Sequence, residues 1–129
     1  MLIAALLLAA QTAPCTAVDT ALPAALAGWT MTHPGLTVGH AGTLTVTEGA
    51  ANTGFAIQEA GTYGIAIDQG GWIDVAPKGG AALKSAKHGH GPDCSTIGKI
   101  VHFDLQPGDY TLTLAKLTKP QVKVMLVKN

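Results

Sequence analysis

Short runs of alternating apolar and polar residues recur along the chain after Trp29. Every second side chain of a strand faces the same side, so this period of two is typical of half-buried β-strands. Thr, Val and Ile, whose branched side chains favour strands, dominate the runs. Seven segments show this pattern: 43–47, 55–57, 63–68, 72–75, 100–105, 110–114 and 122–127.

Turn-forming residues separate the runs, for example NTG (52–54), KGG (78–80) and PGD (107–109). Seven to eight short strands at intervals of about 8 to 15 residues predict an all-β fold. We expect a single antiparallel β-sandwich that is jelly-roll-like. Ahead of the strands, Pro23 favours a short helical turn over Leu22–Ala27.

Two of the runs begin with the same local pattern. EAGTYGIAI (59–67) and QPGDYTLTL (106–114) each place a Gly two residues before a Tyr, followed by alternating apolar residues. We expect each Gly to adopt positive φ in a turn. Each Tyr then opens a strand, with a buried ring and a hydroxyl that reaches the sheet edge. The repeat predicts equivalent positions in two packed sheets.

The start of the chain has the features of a secretory signal. Leu2–Ala10 is an unbroken apolar run of nine residues, and small residues follow it up to Ala13. The run is too short to cross a hydrocarbon core of about 30 Å, but it suits the apolar region of a signal peptide. We therefore predict a signal peptide at 1–13 and a single β-sandwich domain at 14–129, located in the periplasm or outside the cell.

The two cysteines, Cys15 and Cys94, both lie in the predicted mature chain. In an oxidising compartment two thiols of one small domain usually pair. A bridge would close a loop of about 80 residues, which is worth on the order of 4 kcal/mol in the chain-entropy model. The alternatives are a free Cys94 that acts as a metal ligand and a free Cys15 removed with the signal peptide.

Composition narrows the classes of function. The 129 residues carry eight Lys, no Arg and eight acids, so the formal net charge is zero with neutral His. This balance argues against a nucleic-acid binder, which is usually basic, and no segment predicts stable membrane insertion of the mature chain. Charge is nevertheless segregated, because all eight Lys follow residue 77. Two interpretations are open: the Lys side chains pair with acids of the other sheet, or they form a basic face that meets an anionic surface.

Three segments resemble known proteins: LPAALAGW (22–29), EAGTYGIAIDQGGWIDV (59–75) and HGHGPDCSTIGKIVHFDLQPGDYTLTL (88–114). They are similar to short exported alphaproteobacterial proteins of unassigned function, some of which carry the name homogentisate 1,2-dioxygenase. That name implies iron held by two His and a carboxylate, for which His88, His90 and Asp93 are the candidates. The turn-plus-strand phrases also resemble pre-peptidase C-terminal and carbohydrate-binding jelly-roll domains.

The polar segment Lys87–Cys94 is the strongest candidate for a metal-binding site. His88 and His90 would share one side of an extended strand, or converge within a Gly-rich loop. We predict His102, on the polar face of the next strand, as a third ligand, with His33 or His40 as further donors. Such an exported His cluster suits Cu(II) or Zn(II). The alternative is a Gly-rich loop with solvated His.

Trp29 and Trp72 are candidates for an aromatic ligand platform or, alternatively, for core anchors. Neither Ser residue lies in a G-x-S-x-G elbow, and no phosphate-binding loop is present. We therefore expect a non-enzymatic binding or accessory module, with a cell-envelope component or a carbohydrate as its ligand. The alternatives are a metal-dependent dioxygenase and a structural cell-envelope protein.

Overall fold

The structure is a computed structural model that describes residues 15–129, so the predicted signal peptide at 1–13 lies outside the described residues. This part of the chain forms a 3₁₀ helix over Ala24–Thr30 and eight strands. The strands are β1 (Ala41–Thr45), β2 (Ala51–Ile57), β3 (Gly61–Ile67), β4 (Trp72–Pro77), β5 (Lys87–Gly89), β6 (Lys99–Leu105), β7 (Gly108–Ala115) and β8 (Gln121–Lys128).

The strands form two antiparallel sheets, which confirms the predicted all-β sandwich. The five-stranded sheet has the order β1-β8-β3-β6-β5, and the three-stranded sheet has the order β2-β7-β4. Consecutive strands alternate between the sheets except at β5–β6, so the chain wraps around the core as in a jelly roll. β5 ends the strand order of the larger sheet and β4 ends that of the smaller sheet, so both are edge strands.

The alternating apolar residues of the two sheets meet in one core. Its wholly buried side chains include Ile65, Val75, Leu112 and Val122, and their polar neighbours along each strand point outward. Removal of these side chains from water is the dominant favourable contribution to folding. The predicted period of two therefore assigns the inner faces correctly.

A second apolar layer covers the outer face of the five-stranded sheet. Trp29 and Leu26 of the 3₁₀ helix pack there against Ala66, Met125 and Val127. β3 and β8 are therefore buried on both faces, which explains the continuous apolar run at the end of β8. The helix begins two residues later than predicted, directly after Pro23.

The disulfide Cys15–Cys94 attaches the start of the described chain to the loop between β5 and β6, as predicted. Asp19 reinforces this attachment, because its two carboxylate oxygens accept hydrogen bonds from the Thr96 amide (2.7 Å) and hydroxyl (2.6 Å). The Trp29 indole N–H in turn donates to the Thr96 hydroxyl oxygen at 2.9 Å. The outer layer is thus held by covalent, polar and apolar contacts together.

The repeated Gly-x-Tyr phrases form two equivalent corners, one in each sheet. Tyr63 in β3 donates its hydroxyl to the Glu59 carbonyl at 2.7 Å, and Tyr110 in β7 donates to the Gln106 carbonyl at 2.7 Å. Both rings are buried. The expected positive φ occurs at Gly108, at 147°, but not at Gly61, where the expectation was wrong because that turn needs no left-handed residue.

We expect Tyr110→Phe to destabilise the fold more than Tyr63→Phe. The Tyr110 hydroxyl also accepts a hydrogen bond from the Gln106 amide at 3.0 Å, so its loss leaves two backbone groups without a partner. Each such hydrogen bond contributes about 0.5–1.5 kcal/mol to stability. Chemical denaturation of the two variants measures the difference, and equal losses would show that the second hydrogen bond is worth nothing.

Candidate functional site

Trp72 is the one aromatic side chain that the fold leaves in solvent. Five of the six aromatic residues are at most 8% exposed, whereas Trp72 is 54% exposed. It is the first residue of β4 and pairs with Ala115, so its indole stands on the solvent side while Ile73 faces the core. A large exposed indole at a sheet edge is a candidate binding surface.

Two ammonium groups lie beside this indole. Lys99 Nζ is 5.5 Å and Lys116 Nζ is 5.9 Å from the centroid of the Trp72 ring system. Both distances fall within the range of cation–π contacts. Lys99 Nζ also donates a hydrogen bond to the Gly71 carbonyl at 2.7 Å, which fixes the position of its charge next to the ring.

The indole borders a cleft at the side of the sandwich where β4 and β5 are the edge strands. The cleft encloses about 200 Å³, and its lining includes Trp72, Ser85, His88 and Lys99. A neighbouring depression shares His88 and Lys99 and adds His90. Among the described residues that line these two cavities there is no carboxylate. The cleft therefore offers hydrogen-bond donors and positive charge next to an aromatic surface.

Local sequence explains how Trp72 comes to the edge. Gly71 lies so close to β7 and the segment after it that a Cβ would be 2.8 Å from Leu117 Cδ2 and 3.1 Å from the Ala115 carbonyl oxygen. Only Gly fits this approach without a shift of the neighbouring chain. Its position lets β4 begin immediately at Trp72, next to the end of β7.

Trp29 is not part of a platform. Its side chain is 0% exposed and belongs to the apolar layer on the five-stranded sheet, whereas Trp72 lies in the three-stranded sheet. Lys123 Nζ lies 4.7 Å from the centroid of its ring system. Of the two alternatives that the sequence left open, Trp29 is a core anchor and not a platform residue, because the 3₁₀ helix turns this indole onto the sheet and away from solvent.

The structure separates the three histidines that were predicted as metal ligands. His88 pairs with Val101, a core residue, and therefore faces the inner side of the sheet at the cleft. His102 pairs with Lys87 and Gly64 and faces the outer side, so the sheet itself stands between the two imidazoles. Within residues 15–129, no three His, Cys, Asp or Glu side chains form a group that could hold a metal ion.

The expected His-rich loop is also partly a strand. Lys87–Gly89 form β5, and His90 follows it and lines the depression beside the cleft. The disulfide occupies Cys94, which removes its thiolate as a ligand or nucleophile. His88 and His90 thus share a side of the chain, as the His-x-His spacing predicted, but no described carboxylate or third imidazole joins them.

Burial and the positive charge of Lys87 lower the pKa of His102 below its ordinary value. Its Nδ1 lies 2.7 Å from the Asn129 side-chain nitrogen. An amide nitrogen only donates, so Nδ1 accepts, as a neutral imidazole allows. The depressed pKa therefore favours the form that makes this contact. His102 holds the last residue of the chain and is not available to the cleft.

The chain matches no protein-family model and no curated protein. Sequence reasoning missed Lys99, Lys116 and Ser85 as site residues. The concentration of all eight Lys after residue 77 was the signal that pointed towards a basic face.

Proposed function

We propose that this protein is an exported, non-enzymatic binding module that holds an acidic saccharide in the cleft beside Trp72. The observation that carries the proposal is the exposed indole with two ammonium groups within 6 Å of its ring centre. An aromatic surface can stack on the apolar face of a sugar ring, and the ammonium groups can meet its carboxylates. Binding sites commonly combine an apolar surface with a few fixed polar groups in this way.

The choice of an acidic ligand rests on charge. Lys99 and Lys116 flank the indole, no described carboxylate lines the cleft, and neither Lys is in an ion pair among the described residues. Within the described chain the one ion pair joins Lys128 and Glu59, which are not among the lining residues. Hydrogen bonds between an ammonium group and a carboxylate are about twice as strong as those between neutral groups. A carboxylated sugar therefore gains more from this cleft than a neutral one.

Export is part of the proposal. The disulfide between Cys15 and Cys94 is typical of an oxidising compartment, and the apolar run at Leu2–Ala10 suits a secretory signal. No helix among the described residues is long and apolar enough to cross a membrane. A periplasmic or extracellular module would meet acidic polysaccharides of the cell envelope or its surroundings.

The dioxygenase alternative is not supported by the donor set. It would need two His and one carboxylate around a single iron, and the described residues contain no such group of three. His88 and His90 line the depression, but Asp93 is not among its lining residues. We therefore derive no reaction for this site.

We expect the mature protein to bind polygalacturonate, an acidic polysaccharide, and to bind neutral dextran weakly. Trp72→Ala should lower the affinity for polygalacturonate by about tenfold, which corresponds to about 1.4 kcal/mol. A double variant, Lys99→Met with Lys116→Met, keeps most of the side-chain volume and should reduce binding to the level of dextran. Isothermal titration calorimetry measures each affinity.

The matched control is Val38→Ala, another exposed apolar side chain (44% exposed) that does not line the cleft. It should bind as the unmodified protein does. Raised salt should weaken binding of polygalacturonate, because exposed charges are screened. Equal binding of the two polysaccharides, or unchanged affinity in Trp72→Ala, would overturn the proposal.

A further inference from the structure

A second pair of histidines lies far along the chain from the cleft, between the 3₁₀ helix and β1. The rings of His33 and His40 are 5.1 Å apart between centroids, with an angle of 37° between their planes. His33 is exposed and His40 is half-buried. The described residues include no other pair of imidazole rings in contact.

The backbone places a methionine on the same side. Thr32 and Ala41 form a parallel bridge, with hydrogen bonds from Ala41 N to Met31 O (3.1 Å) and from His33 N to Ala41 O (2.9 Å). Bridge partners share one side of a sheet, so their chain neighbours Met31, His33 and His40 share the other side. Met31 is 55% exposed, which leaves its thioether accessible.

The spacing of the two rings fits a shared ion. Metal–nitrogen bonds are about 2.0–2.1 Å, and a tetrahedral ion bound by two imidazoles then holds their ring centres roughly 5 Å apart. The observed separation between centroids is 5.1 Å. The separation of the two ring centres is therefore compatible with one shared ion.

A hydrogen bond also prepares His33 for this role. His33 Nδ1 lies 3.0 Å from the Pro34 carbonyl oxygen. A carbonyl oxygen only accepts, so Nδ1 carries the proton and the lone pair resides on Nε2. Metal-binding histidines almost always donate their other ring N–H in this way, which fixes the tautomer and the ring orientation.

We propose that Met31, His33 and His40 form a binding site for Cu(I). Within residues 15–129, no third His, Cys, Asp or Glu joins these two imidazoles, so the third donor is the Met31 thioether. Thioether ligands select Cu(I), and imidazole also suits copper. The site lies on segments that do not contribute to the Trp72 cleft. A failure of the copper proposal would therefore leave the saccharide proposal untouched, and the reverse also holds.

Competition with the Cu(I) chelator bicinchoninate, in the presence of ascorbate, tests the site on the mature protein with its disulfide intact. We expect one Cu(I) per chain. His33→Ala and His40→Ala should each weaken binding by about a hundredfold, and Met31→Leu by about tenfold. Zn(II), which has no preference for thioethers, should bind Met31→Leu as well as the unmodified protein.

The control variant is His88→Ala with His90→Ala, which removes the His-x-His pair and should leave Cu(I) binding unchanged. Because His40 is half-buried, His40→Gln accompanies His40→Ala, and circular dichroism confirms that each variant is folded. Two results would overturn the proposal: Cu(I) binding that survives in the folded His33→Ala variant, or binding that is lost only when His88 and His90 are replaced.

Discussion

Leu112→Asp should abolish folding of the sandwich. Leu112 lies in β7, the central strand of the three-stranded sheet, pairs with Val75 on β4 and is 0% exposed. Its surroundings in the core are apolar side chains, so a carboxylate there would have no partner. An unpaired buried charge costs several kcal/mol, which is comparable to the total stability of about 5–15 kcal/mol for a typical domain.

The matched substitution is Thr111→Asp, one residue earlier on the same strand. Thr111 is exposed and pairs with Gly54 and Ala76 on the solvent side of the sheet. The same charge remains hydrated there, so we expect a change within about 0.5 kcal/mol, as for ordinary surface substitutions. Circular dichroism and thermal melting compare the two variants. Equal damage at both positions would contradict the assignment of the inner face of β7.

Loss of the disulfide should be the largest effect that leaves the fold intact. Cys15 and Cys94 are 79 residues apart, and a loop of this size is worth on the order of 4 kcal/mol in the chain-entropy model. We expect Cys15→Ser with Cys94→Ser to lower the melting temperature by about 15 °C. Differential scanning calorimetry measures the shift. In the unmodified protein, thiol titration after unfolding without reduction should find no free thiol.

Asp19→Asn separates the covalent attachment from the polar one. It keeps the bridge but weakens the two hydrogen bonds that the Asp19 carboxylate accepts from Thr96. Asn keeps one side-chain oxygen as an acceptor and both hydrogen bonds are solvent-exposed, so we expect a loss of about 1 kcal/mol, less than in the double Cys variant. Two free thiols in the unreduced protein, or a double Cys variant as stable as the unmodified chain, would contradict the proposed role of the bridge.

Most of the strands could be predicted from the sequence because their alternation is local. Tyr110, Leu112 and Leu114 recur with a period of two, and burial of that face fixes the strand and its inner side. β5 was missed for the opposite reason. Lys87–Gly89 has no apolar residue and is only three residues long, so it carries no alternating pattern. Its strand conformation comes from pairing with β6.

Trp29 and Trp72 show where sequence reasoning reached its limit. Each indole follows a Gly, and the sequence left a ligand platform and a core anchor open for both. Trp29 is buried because the 3₁₀ helix Ala24–Thr30 packs on the outer face of the five-stranded sheet, whereas Trp72 lies at the edge of the three-stranded sheet. Exposure depends on which layer covers which face, and that is a long-range property.

The histidines follow the same principle. His88 and His102 were predicted to converge because both lie on polar positions near each other in the chain. The β5–β6 register places them on opposite faces of one sheet, while His33 and His40 meet through the parallel bridge between Thr32 and Ala41. The alternation of side chains can assign a residue to one face of its own strand. It cannot identify the residues of other segments that contact that face.

The sequence by itself determined the β class, the positions of most strands and turns and the two tyrosine corners, and it favoured the Cys15–Cys94 bridge that the structure contains. These features depend on local periodicity, on turn chemistry or on the small number of cysteines, so short segments carry them. Only the tertiary structure decided which tryptophan is exposed, which lysines stand beside it and which histidines meet. Those relations arise from strand register and from the layer over one sheet, because they join residues that no local pattern connects.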